Sequence, residues 1–398
     1  MSYLSKKVEL LGESETLAMA RLSRELKEQG IDVVNMSLGE PDFDTPQFIK
    51  DAAIEAIRDN YSHYTPVPGY KDLLEAICEK LKRDNGLDYT PANIITSTGA
   101  KQSIANAVFA LVNEGEEVIL PTPYWVSYKE MVGYAGGTPV FLEAGIEDNF
   151  KPSAAALDAA IKPHTKLIIF SSPCNPSGSV WSNEELEAWV KVLEKHPHVF
   201  IIADEIYELI NFTGRPRSLA SWPSIKDRVI TVNGLSKGFA MTGWRFGYMA
   251  ANETIASACN KIQGQYTSAT CSITQRAAVA ALKADPETTT GFMREAFHRR
   301  RDLALKLLAE VPGLVTNVPD GAFYIFPDIS HYIGKTAKGK VIENSKDLCM
   351  YLIHEAHVAI TPGGAFGMDN HIRISYATSE AEIEKAVSRI KKALQDIA

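Results

Sequence analysis

A lysine, an acid, a phenol and an amide occur in this chain at one kind of place, the polar stretch that follows an apolar, β-branched run. The five runs are Ile94-Ile95-Thr96, Glu117-Val118-Ile119-Leu120, Leu167-Ile168-Ile169-Phe170, Val199-Phe200-Ile201-Ile202 and Val229-Ile230-Thr231-Val232. The first leads into Ser97-Thr98-Gly99-Ala100-Lys101. A glycine turn opening a helix there offers free backbone N–H groups and the positive dipole end, a natural seat for a phosphate. The third leads into Ser172-Pro173-Cys174-Asn175-Pro176, where the prolines constrain the backbone and aim the Asn175 amide. The fourth ends in Asp204, with Tyr207 three residues on. The fifth runs into Ser236-Lys237, followed by Thr242-Gly243-Trp244-Arg245.

Singly, each group has an ordinary use: Asn175 in a turn, Asp204 at a helix cap, Lys237 in a solvated loop, Arg245 in a surface ion pair. Together they meet the needs of pyridoxal 5′-phosphate: an amine for a Schiff base, an acid beside the pyridine nitrogen, two donors to the ring oxygen and a phosphate cradle. The glycine turn is not a Walker A loop, because Ile94 stands where that motif requires its first glycine, and no G-x-G-x-x-G occurs.

The elements that must hold these groups follow from periodicity. Alternation of β-branched runs with helix-period stretches reads as an α/β domain with a largely parallel, buried sheet, whose ligands sit at the strands' carboxyl ends. Thr45-Pro46 reads as a cap and first-turn proline for a helix with apolar positions 48, 49, 52, 53, 56 and 57. Ser182 with Glu185, and Ser379 with Glu382, read as capping boxes. After the second, Ile383, Ala386, Val387, Ile390 and Leu394 form one apolar stripe of a docked C-terminal helix. From about Asp285 the pattern becomes helix, then Gly321 to Phe326, a further helix and the alternating Ile372 to Tyr376, which reads as a smaller α+β domain. The expected division is a large domain over 46–285 and a small one combining 1–45 with 286–398.

Length supports two domains, since 398 residues exceed the ~250–300 that one core usually reaches. Lys+Arg 41 against Asp+Glu 49 leaves a net charge of −8 with no basic block, which argues against a nucleic-acid partner. No apolar run approaches the ~18 residues of a membrane span, and Glu9 and Glu13 interrupt the start as no signal peptide does, so no membrane partner and a cytoplasmic location are expected. Five cysteines without C-x-x-C spacing read as free thiols. His354-Glu355-Ala356-His357 is not H-E-x-x-H, and no metal is expected.

The strings S-L-G-E-P-D-F at Ser37 to Phe43, Y-T-P-V-P-G-Y at Tyr64 to Tyr70, P-Y-W-V-S-Y at Pro123 to Tyr128, N-P-S-G at Asn175 to Gly178, D-E-I-Y at Asp204 to Tyr207, S-K-G-F-A-M-T-G-W-R-F-G at Ser236 to Gly247 and I-R-I-S-Y-A at Ile372 to Ala377 carry a resemblance. In order, over nearly the whole chain, they resemble the class I pyridoxal-phosphate aminotransferases, most of all the bacterial aspartate aminotransferase type. The resemblance implies fold type I, a large domain with a mostly parallel seven-stranded sheet beside a smaller α+β domain, in a homodimer sharing its active sites. It implies that Lys237 carries the cofactor and moves the substrate proton, that Asp204 pairs with the pyridine nitrogen, and that Tyr207 and Asn175 bond the ring oxygen. By the same resemblance Trp125 stacks on the ring, while Gly99, Ala100, Ser236, Arg245 and the partner's Tyr64 take the phosphate.

Arg373, an arginine on an otherwise apolar strand, resembles the family's anchor for the substrate α-carboxylate, helped by Asn175 and Gly39. Lys101, Ser14 and Thr16 resemble its second anchor, which selects dicarboxylic substrates, so aspartate with 2-oxoglutarate leads. Alanine, aromatic or 1-aminocyclopropane-carboxylate chemistry is the alternative within the fold; a pyridoxal-phosphate-dependent transcription regulator would need a DNA-binding domain that this sequence does not resemble. Many relatives have a basic residue and proline where this chain has Gly12-Glu13, and often alanine at Glu15. Added negative charge there would oppose a carboxylate, and the loss of the basic residue puts prephenate activity in doubt, while aspartate itself stays a plausible substrate.

Overall fold

The computed structural model describes residues 3–9, 11–13, 15–214 and 217–397. Seven strands form one sheet in the order Ile94–Ser97, Gly247–Ala250, Val229–Gly234, Phe200–Asp204, Thr165–Ser171, Glu117–Thr122, Thr138–Glu143. All neighbours run parallel except Gly247–Ala250, which is antiparallel to both of its own. The five apolar runs all lie in this sheet. The other two strands escape the pattern for physical reasons: Thr138–Glu143 is an edge strand with Pro139 and a half-exposed Phe141, and Gly247–Ala250 is only four residues long with glycine and alanine at its ends.

Strand residues alternate between two buried layers. Ile119, Ile168 and Ile201 face a core shared with helices Lys71–Asn85 and Asn183–Lys195, whereas Val118, Leu167, Ile169 and Ile202 face one shared with Ala100–Leu111 and Glu253–Tyr266. Covering both faces is what a parallel sheet requires.

A separate core lies beside this sandwich. It joins helix Glu15–Glu28, the parallel pair Val34–Asn35 with Val358–Ala359, the small antiparallel sheet of Thr361–Pro362, Ile372–Ser375 and Tyr324–Ile325, and helices Pro286–Leu308 and Glu380–Gln395. The stripe Ile383, Ala386, Val387, Ile390 and Leu394 is buried there, each large aliphatic contributing roughly 1.5–3 kcal/mol. This core also takes Ile206, Tyr207 and Ile210, which follow the strand bearing Asp204, so it packs directly against the turn that holds Tyr207.

The caps follow expectation in part. Ser182 and Glu185 form a reciprocal capping box. Ser379 accepts from Glu382 N. Thr45 does not cap: Pro46 holds the cap position of helix Gln47–Arg58, and the Thr45 hydroxyl donates instead to Ala240 O at 2.8 Å. A tertiary partner outcompetes the local one.

Candidate active site

Three parallel strands end side by side, with Ser171 registered against Asp204 and Asp204 against Val232. Their run-outs, the glycine turn at Gly99 and the strand Ile372–Ser375 surround one cavity of about 280 Å³. Lys237, Asp204, Tyr207, Asn175, Trp125, Ser236, Ala100, Lys101, Arg245, Gly39, Thr16 and Arg373 all line it. Four of these are cations and one is a carboxylate, so the cavity suits ligands with more than one negative charge. A larger cavity of about 430 Å³ beside helix Pro286–Leu308 holds Glu287 and Arg294 already joined to each other.

Asp204 is buried, and burial lifts its carboxyl to about 6, against the pull of the Tyr128 hydroxyl donating to Oδ2 at 2.6 Å and of Ile206 N donating to Oδ1 at 3.2 Å. Lys237 sits in a tight turn before Ala240, which has φ 51. Its Nζ donates to Gly39 O, and burial, then the nearby Arg373, lower its amine to about 8. A neutral amine therefore becomes available near neutral pH, as a nucleophile or base needs.

The Tyr207 and Tyr324 hydroxyls meet at 2.8 Å, and burial pushes the Tyr207 phenol well above its usual range. One hydroxyl of that pair keeps its hydrogen for a ligand. Gly39 runs so close beneath them that a Cβ would stand 2.8 Å from the Tyr324 oxygen. Lys101 Nζ lies over the Trp125 ring at 4.9 Å, its proton affinity lowered by burial and then by Arg245.

Helix Ala100–Leu111 starts at Gly99, whose φ of 84 favours glycine. A side chain there would overlap the Arg245 guanidinium, which donates to Thr242 O at 2.9 Å and Thr98 O at 3.3 Å. Arg245 itself has φ 56, a strained backbone for a long side chain. The amide end of a helix, the Ser236 hydroxyl and an exposed guanidinium thus converge as an anion cradle.

Arg373 is 2% exposed on a strand buried throughout. Its guanidinium donates to Asn175 Oδ1 at 3.0 Å, Ser37 O at 2.6 Å and Thr361 Oγ1 at 3.3 Å, while Nε has no partner. No carboxylate among the described residues pairs with it. A buried guanidinium held only by neutral acceptors is costly unless an anion comes to it.

Two expected residues lie elsewhere. Tyr64 is 99% exposed and does not reach this chain's own cavity, and Ser14 lies outside the described residues. Glu15 does not line the cavity and pairs with Lys346 at 3.4 Å, so part of the negative charge expected near the carboxylate pocket has a local partner. Sequence reasoning missed Tyr128 and Tyr324, both of which touch groups it had singled out. A tyrosine three residues beyond Trp125, and another inside the apolar run to Phe326, were the available signals. Glu355, beside the two histidines, pairs with Lys338, and no three His, Cys, Asp or Glu side chains gather as a metal site among the described residues.

Known proteins share this arrangement's sequence and fold. The profile of the family "Aminotransferase class I and II" matches residues 31–390. A probable aspartate/prephenate aminotransferase of Rickettsia bellii is 48% identical over 99% of each chain. The crystal structure of the aspartate aminotransferase from Rhizobium meliloti superposes with a TM-score of 0.95, at 41% identity over 100% of both chains. The Thermus thermophilus aspartate aminotransferase with maleate gives 0.93 at 37% identity, covering 99% of this chain and 100% of its own. The sheet order, the second core and these matches give one fold, type I, and this chain belongs to the class I and II aminotransferases.

Proposed function

We propose that this protein is a pyridoxal-phosphate-dependent aspartate aminotransferase, passing the amino group of L-aspartate to 2-oxoglutarate in a reversible ping-pong cycle. The observation that carries the reading is Arg373, a buried cation without a carboxylate partner among the described residues, opening on the same cavity as Lys237 and Asp204. The glycine that a Cβ would force into Arg245, and the donor set around it, fit the phosphate of that cofactor. When bound, the cofactor supplies an aldehyde carbon for the amino group and a conjugated ring that takes up the electron pair left at Cα.

The remaining work falls to the chain. Lys237 would hold the cofactor's aldehyde carbon and, with its amine free, would carry the proton to and from the substrate Cα. Asp204 keeps the pyridine nitrogen protonated. Tyr207 and Asn175 bond the ring oxygen, Trp125 covers a ring face, and Gly99, Ala100, Ser236 and Arg245 take the phosphate. Arg373, with Asn175 and Gly39, grips the α-carboxylate, and Lys101 with Thr16 and Ser14 takes the distal one. Tyr64 serves the cavity of a second copy in a homodimer; Ile54 and Ile57, exposed apolar residues on helix Gln47–Arg58, are candidates for burial under that copy. The division into domains over 46–285 and over 1–45 with 286–398 belongs to the same reading, and so does a cytoplasmic site of action.

Adding aspartate and then 2-oxoglutarate to purified, cofactor-loaded protein tests the reading. The yellow absorbance should bleach and return; a spectrum unmoved by aspartate rejects it. Prephenate is a second reading for the acceptor, prompted by the name of the Rickettsia bellii relative. Its use in place of 2-oxoglutarate in the same titration decides between them.

Two quantitative expectations arise here. Lys101→Ala should lower kcat/KM for aspartate roughly 10- to 100-fold, the worth of one charge-assisted hydrogen bond, and change that for alanine by less than about 3-fold. Equal losses for both would remove Lys101 as the distal anchor. Second, apoprotein should capture the cofactor faster as pH rises, about tenfold per unit until the Lys237 amine is neutral at about 8, then level off. Stopped-flow absorbance against pH measures this; a plateau reached only near 10.5 would mean an ordinary lysine.

A further inference from the structure

We propose that Asp42 and Arg300 are positioning residues for the reactive amine: joined on the small-core side of the boundary between the two cores, they hold the Gly39 carbonyl against Lys237 Nζ.

Residues 36–46 carry the chain from the strand Val34–Asn35, in the small core, to helix Gln47–Arg58 of the sandwich. The start of this segment is fixed by Ser375 N donating to Met36 O at 2.9 Å and Thr361 Oγ1 donating to Ser37 O at 3.3 Å. Its end is fixed by Thr45, whose hydroxyl donates to Ala240 O and accepts from Trp244 Nε1 at 3.1 Å. In between, Gly39 O accepts from Lys237 Nζ and Glu40 accepts from Thr242 Oγ1 at 3.0 Å. These bonds draw the segment toward the loop that carries Lys237 and Arg245.

Asp42 draws it the other way. Its two oxygens take both arms of the Arg300 guanidinium, at 2.7 and 2.9 Å, from helix Pro286–Leu308. The Arg300 side chain is only 12% exposed and lies over the Phe43 and Phe297 rings, at 5.0 and 5.7 Å, which themselves meet edge-on at 5.4 Å. A bidentate fork whose guanidinium also lies over two aromatic rings sets distance and angle together, even with Asp42 30% exposed, which a mobile surface pair does not. The segment is therefore stretched between the two cores with the Gly39 carbonyl at its crossing point over Lys237.

Resting on the reading of Lys237 as the reactive amine, the consequence is specific. A carbonyl beside an amine favours its protonated form and limits its swing. Releasing Asp42 from Arg300 lets residues 39–43 relax and takes that acceptor away. The main grip on the substrate carboxylate should be kept, because Arg373 rests on Ser37 O, on the separately fixed end of the segment; only the contribution of Gly39 to that grip is weakened.

The experiment uses full-length Arg300→Met, Asp42→Asn, the double variant and Arg300→Lys. It reads the pH midpoint of pyridoxal 5′-phosphate capture by apoprotein, and kcat and KM for aspartate in the loaded enzyme. Each single variant should move the midpoint down by about half a pH unit, and the double no further, as partners in one interaction do. We expect kcat to fall about 5- to 20-fold with KM rising no more than about 3-fold, the share of Gly39 in the carboxylate grip, and Arg300→Lys to lie between. An unmoved midpoint, additive effects in the double variant, or KM rising in step with the loss of kcat would overturn the proposal. Asp42→Asn, the milder change, keeps the test decisive if Arg300→Met does not fold. Unaltered protein that captures no cofactor would sink the proposed function itself, and this inference with it; normal capture with unshifted variants sinks this inference alone.

Discussion

Lys237→Ala is expected to lower the rate of amino transfer from aspartate by at least about 10⁴-fold, because one side chain is asked to do two jobs. Its Nζ is a buried amine lowered to about 8, able to hold an aldehyde and to act as a base near neutral pH. Asp204 lies beside it, yet that carboxylate is engaged by the Tyr128 hydroxyl and the Ile206 amide, so it does not stand in as the base. Lys101, the other lysine of the cavity, lies over the Trp125 ring. The variant should still bind aspartate, since Arg373 and its neutral acceptors are untouched.

Stability gives a second readout for the same substitution. The folded protein holds the Lys237 amine at about 8, below the ~10.5 of an unfolded lysine, so between those values the unfolded chain binds the extra proton. Stability of the apoprotein should therefore rise with pH from about 8 to 10.5, and that rise should vanish in Lys237→Ala. Denaturant titrations across this range measure it. Activity within tenfold of the unaltered enzyme, or a stability curve of the same slope, would remove Lys237 from the centre of the mechanism.

What the sequence makes legible follows the sheet. Asp204, Lys237 and Asn175 can be found because parallel strands deliver their last residues to one edge, so the residue after an apolar run is a prediction with geometry behind it. Arg373 is legible as an arginine among apolar neighbours, although the alternation of its strand misleads: the structure buries both faces, Arg373 included. Tyr128 and Tyr324 are invisible in the same reading because a tyrosine in an aromatic run looks like core, and both are core by burial. Only the position of a second hydroxyl or carboxylate, a tertiary fact, gives them a polar task.

Local signals fail where a distant partner is better. Thr45 has the sequence of a helix cap, but its hydroxyl finds the Ala240 carbonyl nearly 200 residues away, and the cap is left to Pro46. Periodicity counts Phe48 and Ile57 with the buried stripe of helix Gln47–Arg58, whereas only Ile49, Ala53 and Ala56 are buried in this chain. Apolar surface on that side has no partner in one copy to explain it. Pattern alone cannot separate a face turned to the core from one turned to another molecule.

Asp204→Asn should separate activity from stability. The amide cannot keep the pyridine nitrogen protonated, so the loss in kcat is expected to be on the order of 10³-fold, comparable to removing a preorganised charge from a water-poor site. The fold should gain. Burial raises the Asp204 carboxyl to about 6 from 3.8, so the folded state binds its proton more tightly than the unfolded chain does. The sign follows: this group contributes stability only below about 3.8, loses it as pH rises through 6, and above that its ionisation opposes folding. Asparagine removes the opposition. At pH 8 the variant apoprotein should be more stable by up to about 3 kcal/mol, with the gain shrinking to nothing near pH 4. The contacts tolerate the change, because the amide oxygen can still accept from Ile206 N and the Tyr128 hydroxyl can turn to accept from the new NH₂ group. On the proposed reading, a group that costs the fold stability at working pH is retained for its chemistry. Urea unfolding of both apoproteins at pH 4 and 8, beside steady-state rates, measures the two effects together. A variant that loses stability at pH 8, or keeps its activity, would show that Asp204 serves the packing rather than the reaction.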